Sequence, residues 1–132
     1  MVTEQKRAIP EPASNPALDV QVLAELANLQ RNVRPGFMDR VITLYLQAAS
    51  KLIEDLEVAS ASDELAMLRR ASHTLKPCSA AVGALPLAAL CETLERMARS
   101  GSVPDPGARV AAIAEEYKRV QSALMDQLCH AD

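Results

Sequence analysis

The run Ser72-His73-Thr74-Leu75-Lys76-Pro77-Cys78-Ser79-Ala80 carries the side chains best suited to chemistry in this chain. Leu68, Ala71, Leu75, Cys78 and Val82 recur at the three-and-four spacing of a buried helical stripe. At about 100° per residue, His73 falls roughly opposite that stripe, with Arg69, Arg70, Lys76, Pro77 and Ala80 around it. The spacing therefore predicts a lone imidazole on the wet face of an amphipathic helix, bordered by basic and small side chains. Such a ring can be approached by a phosphorylated partner, so phosphoryl chemistry is the first reading.

The elements that must hold this ring follow from strong punctuation. Asp19 can cap a short helix to about Gln30, with Val22, Leu23, Leu26 and Leu29 inward. Pro35 fits the first turn of a second helix, whose stripe Met38, Val41, Ile42, Tyr45, Ala49, Leu52 and Leu56 keeps register to about Glu57. Ser60 with Asp63 resembles a capping box that opens the His73 helix, which Gly83 can close in a left-handed conformation. Pro86 starts a helix with Leu87, Leu90, Leu94 and Met97 inward, ended by Gly101. Asp105-Pro106 starts the last, with Val110, Ile113, Tyr117, Val120, Leu124 and Leu128 on one face. Short connections favour antiparallel neighbours, so the expected fold is all-α, an antiparallel up-and-down four-helix bundle with a short additional N-terminal helix.

Composition agrees and removes several function classes. A chain of 132 residues is one domain, long enough for a core without staples, and one Phe, two Tyr and no Trp leave little material for strands. A net charge of −3 and so few aromatics offer neither a footprint for duplex nucleic acid nor a stacking platform, so no nucleic-acid partner is expected. Cys78, Cys91 and Cys129 form no CxxC pair and read as reduced thiols of a cytoplasmic protein; Cys78 and Cys91 suit a core. Cys129 and His130 lack a second ligand pair, so no metal site is expected. No apolar run reaches membrane-spanning length, and no Gly-rich phosphate loop marks a nucleotide site. Residues 1–17, with Pro10, Pro12 and Pro16, read as a flexible Pro-rich segment or linker before a bundle domain at 18–132.

His73-Thr74-Leu75-Lys76, the small-residue stretch ending Val82-Gly83-Ala84, and then Leu87-Ala88-Ala89-Leu90-Cys91-Glu92-Thr93-Leu94-Glu95 resemble the histidine-containing phosphotransfer (HPt) domain of bacterial multistep phosphorelays. The likeness also covers Leu18 to Leu29, Phe37 to Leu46 and the final helix. The resemblance implies a phosphocarrier, not an enzyme, that takes a phosphoryl group from a receiver-domain aspartate and passes it to another receiver. His73 matches the phosphorylated histidine and Lys76 the lysine that offsets charge on the phosphoryl oxygens. Phosphoryl transfer depends mainly on positioning and charge, and an imidazole in water is largely neutral near pH 7, so a placed ring and a cation suffice. The implied partners are receiver domains of response regulators and hybrid sensor kinases, and Mg²⁺ is expected on the receiver only, with no cofactor on this chain. From spacing alone, Arg69 and Arg70 can attract an acidic receiver face, with Pro77 and Ala80 in the same contact. A monomer is expected, in the cytoplasm or as the cytoplasmic part of a membrane-bound hybrid kinase.

Pro77 departs from the family pattern, which has a small residue after the lysine. Inside a helix it cannot donate to the carbonyl of His73, at a typical cost of about 3 kcal/mol, and the helix is expected to continue through it with a bend. This substitution keeps open a relay-inactive bundle acting as an interaction or inhibitory adaptor. A histidine-kinase dimerisation and phosphoacceptor domain also shows an exposed helical histidine followed by proline, but calls for two helices in a dimer.

Overall fold

A computed structural model describes residues 17–25 and 36–129. Within them the chain forms four long helices, which we label α1 (Phe37–Ser62), α2 (Leu65–Ala81), α3 (Leu85–Ser100) and α4 (Pro106–Cys129). A leader segment, helical over 20–25, precedes them. The described residues contain no strand. Expectations for Leu26, Leu29, Pro35, His130 and most of the proline-rich segment lie outside the described residues.

The helices close a ring in which α1 packs on α2 and α4, and α3 on α2 and α4; the α2–α3 pair is the most extensive of these contacts. The expected up-and-down bundle is what forms, within one chain. Its core is aliphatic: Ile42, Leu56, Leu68, Leu75, Leu87, Leu94, Ile113, Val120 and Leu124 are fully buried. Burial of each is worth roughly 1.5–3 kcal/mol, which is how helices of modest intrinsic stability become rigid supports. The two tyrosines add polar ties. Tyr45 Oη and Ser79 Oγ share a hydrogen bond of 2.9 Å joining α1 to α2, and Tyr117 Oη donates to the Leu46 carbonyl at 3.2 Å, joining α4 to α1.

The ends of α2 decide where His73 sits. The expected capping box at Ser60 and Asp63 is not there. Instead α1 continues past Glu57 to Ser62, and Asp63 ends it in the left-handed region with φ 56° while its amide donates to the Ala59 carbonyl. Serines at the end of a helix can return their hydroxyls to the preceding turn, and Ser60 and Ser62 do so, to Glu57 and Val58. At the other end, Gly83 takes φ 84° as expected, and the amides of Gly83 and Ala84 donate to the carbonyls of Ala80 and Ser79. The leader is fastened to this same turn: the Asp19 amide donates to the Gly83 carbonyl at 2.6 Å. Asp19 also caps the leader, its carboxylate accepting from the Gln21 amide at 2.8 Å.

Helix α2 runs unbroken through Pro77, which is exposed. Proline has no amide hydrogen, so the His73 carbonyl has no helical donor from that position.

Candidate functional site

Along α2 the buried positions are Leu68, Ala71, Ser72, Leu75 and Ser79, and Val82 just beyond the helix is buried too. Cys78, assigned to the stripe from sequence, is only half-buried; Ser72 and Ser79 are buried instead. Two serines can be buried here because their hydroxyls are satisfied, Ser72 by the Leu68 carbonyl at 2.6 Å and Ser79 by Tyr45. With that face inward, His73 is driven outward and its side chain is 65% exposed. Arg69, Arg70 and Pro77 are exposed on the same face, with Ala80 half-buried beyond them. Lys76 was expected to be exposed but is half-buried, because carboxylates on α3 draw its ammonium down.

The ring is not free. His73 Nδ1 lies 2.7 Å from Glu95 Oε2, and the Glu95 side chain is only 3% exposed. An ionised carboxylate can only accept, so Nδ1 carries a proton, and in the neutral form of the ring Nε2, the nitrogen away from Glu95, is the one with the lone pair. Glu95 is held from three sides. Arg99, one turn along α3, donates to the same oxygen, and Lys76 Nζ stands 3.4 Å from Oε1. Burial pushes the Glu95 carboxyl upward, but the His73 hydrogen bond and the Lys76 charge outweigh it and leave the group below the ordinary carboxylate value. Lys76 also donates to Glu92 Oε1 at 2.8 Å. That bond raises the ammonium above its ordinary value and lowers Glu92 below its own.

The structure thus brings His73 and Lys76 together, as the sequence reading required, and adds Glu92, Glu95 and Arg99, which that reading missed. A signal was present. Ala88, Cys91, Glu95 and Ala98 recur at helical spacing and are all buried, so α3 buries a carboxylate inside a stripe of small residues. A carboxylate at such a position must be paired. The stripe was overlooked because its apolar members are small; Leu90 and Met97, read as inward, are exposed and half-buried. Cys91 is buried and its thiol is pushed up to about 12, chiefly by burial, which keeps it protonated beneath the site. Among the described residues no group of His, Cys, Asp and Glu could hold a metal ion.

Comparison with known proteins fits this geometry. Residues 40–123, well over half of the sequence and including every residue of the site, match the Hpt domain family. The chain belongs to the Hpt domain family. Histidine phosphotransfer within a two-component phosphorelay is accordingly its function, and phosphocarrier module is its class. Among solved structures it is similar to histidine-containing phosphotransfer protein B (HptB) from Pseudomonas aeruginosa PAO1, with 25% identity and a TM-score of 0.76 over 86% of this chain and 96% of that one. It is also similar in fold to the histidine-containing phosphotransfer protein ZmHP2 from maize, at 21% identity and a TM-score of 0.80 over 97% of this chain and 95% of that one. No curated protein matches the sequence at a significant level. Receiver domains are the partners of Hpt modules, and no described helix is long and apolar enough to cross a membrane.

Proposed function

We propose that Nε2 of His73 is the atom that accepts and returns the phosphoryl group. The observation that carries this reading is an exposed imidazole whose other nitrogen is bonded to a buried carboxylate. The Nε2 lone pair forms the N–P bond while the P–O bond of a receiver aspartyl phosphate breaks, and the aspartate leaves with the electron pair as a carboxylate. The ring becomes a cation that retains its Nδ1 proton, and Glu95 offsets the new charge. Lys76, one turn from His73, supplies positive charge to the phosphoryl oxygens. Return to a second receiver is the same step reversed. Arg69 and Arg70, with Pro77 and Ala80, form the rim against which a receiver docks, and the receiver brings the aspartate and Mg²⁺; this chain uses no cofactor of its own. It acts as a monomer in the cytoplasm, or as the cytoplasmic part of a hybrid kinase, and binds no nucleic acid.

The test is incubation with a phosphorylated receiver domain, comparing the intact chain with His73→Ala and His73→Gln. Acid-labile label on the intact chain alone is the expected result. Label that persists on both variants, or that never reaches the intact chain from a panel of competent donors, refutes the assignment.

A further inference from the structure

Lys76 is already engaged before any phosphate arrives, and by a carboxylate that the mounting of the ring does not use. Glu95 contacts His73 directly and belongs to that mount. Glu92 is different: it sits one turn earlier on α3, its side chain is 49% exposed, and its contact in the site is the 2.8 Å bond to Lys76. We propose that Glu92 acts as a counter-anion that competes with the phosphoryl group for Lys76 and so keeps the loaded carrier poised to give its cargo away. The inference rests on His73 as the phosphorylated residue.

The charges around the ring explain the effect. Lys76 and Arg99 are positive and Glu92 and Glu95 negative, so the unloaded cluster is balanced. A phosphoryl group brings extra negative charge, about −1.5 to −2 for an ordinary phosphate monoester, into a site with no spare cation of its own among these four. Lys76 turns toward it only by sharing or giving up the Glu92 bond. The ammonium has three hydrogens and can bridge two acceptors, so the competition is partial. Glu92 thereby favours the unloaded state and raises the transfer potential of phosphohistidine, without touching the ring or the core.

The experiment measures the equilibrium of label between a phosphorylated receiver domain and four forms of the full chain: unchanged, Glu92→Gln, Lys76→Gln, and both together. The free proteins are compared at equilibrium, so a contact between Glu92 and the docked receiver does not alter the ratio. Glu92→Gln is expected to move label toward the carrier by about two- to fivefold, the range of an exposed ion pair, and to make no difference when Lys76 is already Gln. Half-exposed Glu92 leaves the fold intact, which a thermal melt checks. An unchanged ratio in Glu92→Gln overturns the proposal. An equal shift in the Lys76→Gln background also overturns it, since Glu92 would then act on the phosphoryl group directly. Label on His73 of the unchanged chain tests the underlying reading separately; its absence removes both.

Discussion

Replacing Glu95 separates the orientation of the His73 ring from its presence. The bond at stake joins a ring nitrogen to a carboxylate 2.7 Å away, and hydrogen bonds to charged groups contribute about 1.5–3 kcal/mol. His73 is 65% exposed, so water competes for Nδ1 and the lower end applies. About 1.5 kcal/mol is roughly a tenfold change in rate if the bond matters fully in the transition state, where the ring gains positive charge. Glu95→Ala is therefore expected to slow phosphoryl acceptance about tenfold, or somewhat more where the ring also adopts the wrong tautomer. Glu95→Gln keeps an oxygen to accept from Nδ1 but loses the charge, and should fall between. The bundle should survive both changes, because the side chains left behind, His73, Lys76 and Arg99, reach solvent and can rehydrate. The assay is single-turnover transfer from a saturating phosphorylated receiver, with nitrogen NMR of the imidazole reporting the tautomer. Transfer by Glu95→Ala at the unaltered rate, with the fold intact, would refute the positioning role.

Three further outcomes follow from the same structure. Pro77→Ala restores an amide that can donate to the His73 carbonyl and should raise unfolding stability by up to about 3 kcal/mol in chemical denaturation, because Pro77 is exposed and has no packing to lose. Gly83→Ala should cost at least about 1–2 kcal/mol for φ 84° alone, and more because the new Cβ would stand 3.0 Å from the Asp19 amide nitrogen; denaturation and loss of the leader's amide protection report it. Because the Glu95 carboxyl is held below its ordinary value, its contribution to stability is present above the unfolded carboxylate value near ~4.3 and disappears as pH falls through the lower folded one. The melting temperatures of the unchanged chain and Glu95→Gln should accordingly converge on acidification through that window.

The sequence revealed most where large apolar residues and special backbone residues coincide. Asp19, Gly83, Gly101 and Pro106 mark helix ends in the structure as they do in the sequence, because each supplies a cap, a left-handed φ or a preset first turn. The end of α1 was misplaced because Ser60 and Asp63 are equally good residues for starting one helix and finishing another. His73 and Lys76 were readable because one turn of a helix puts them on a common face. Glu92, Glu95 and Arg99 lie on a different helix, and only the packing of α2 on α3 brings them to the ring. Local periodicity contains no distance between helices.

The Nδ1 contact has a consequence for traffic through the carrier. With His73 as the proposed phosphoryl acceptor, the bond from Glu95 aims the ring before any partner arrives, so the donor meets the free nitrogen, and the acceptor's attacking aspartate meets the phosphorylated one, at the same angle. Loading and unloading then traverse one path in opposite directions, and the direction of flow is set by the relative energies of the proteins at either end. Under the proposed assignment, a module mounted this way presents an unchanging centre to every partner.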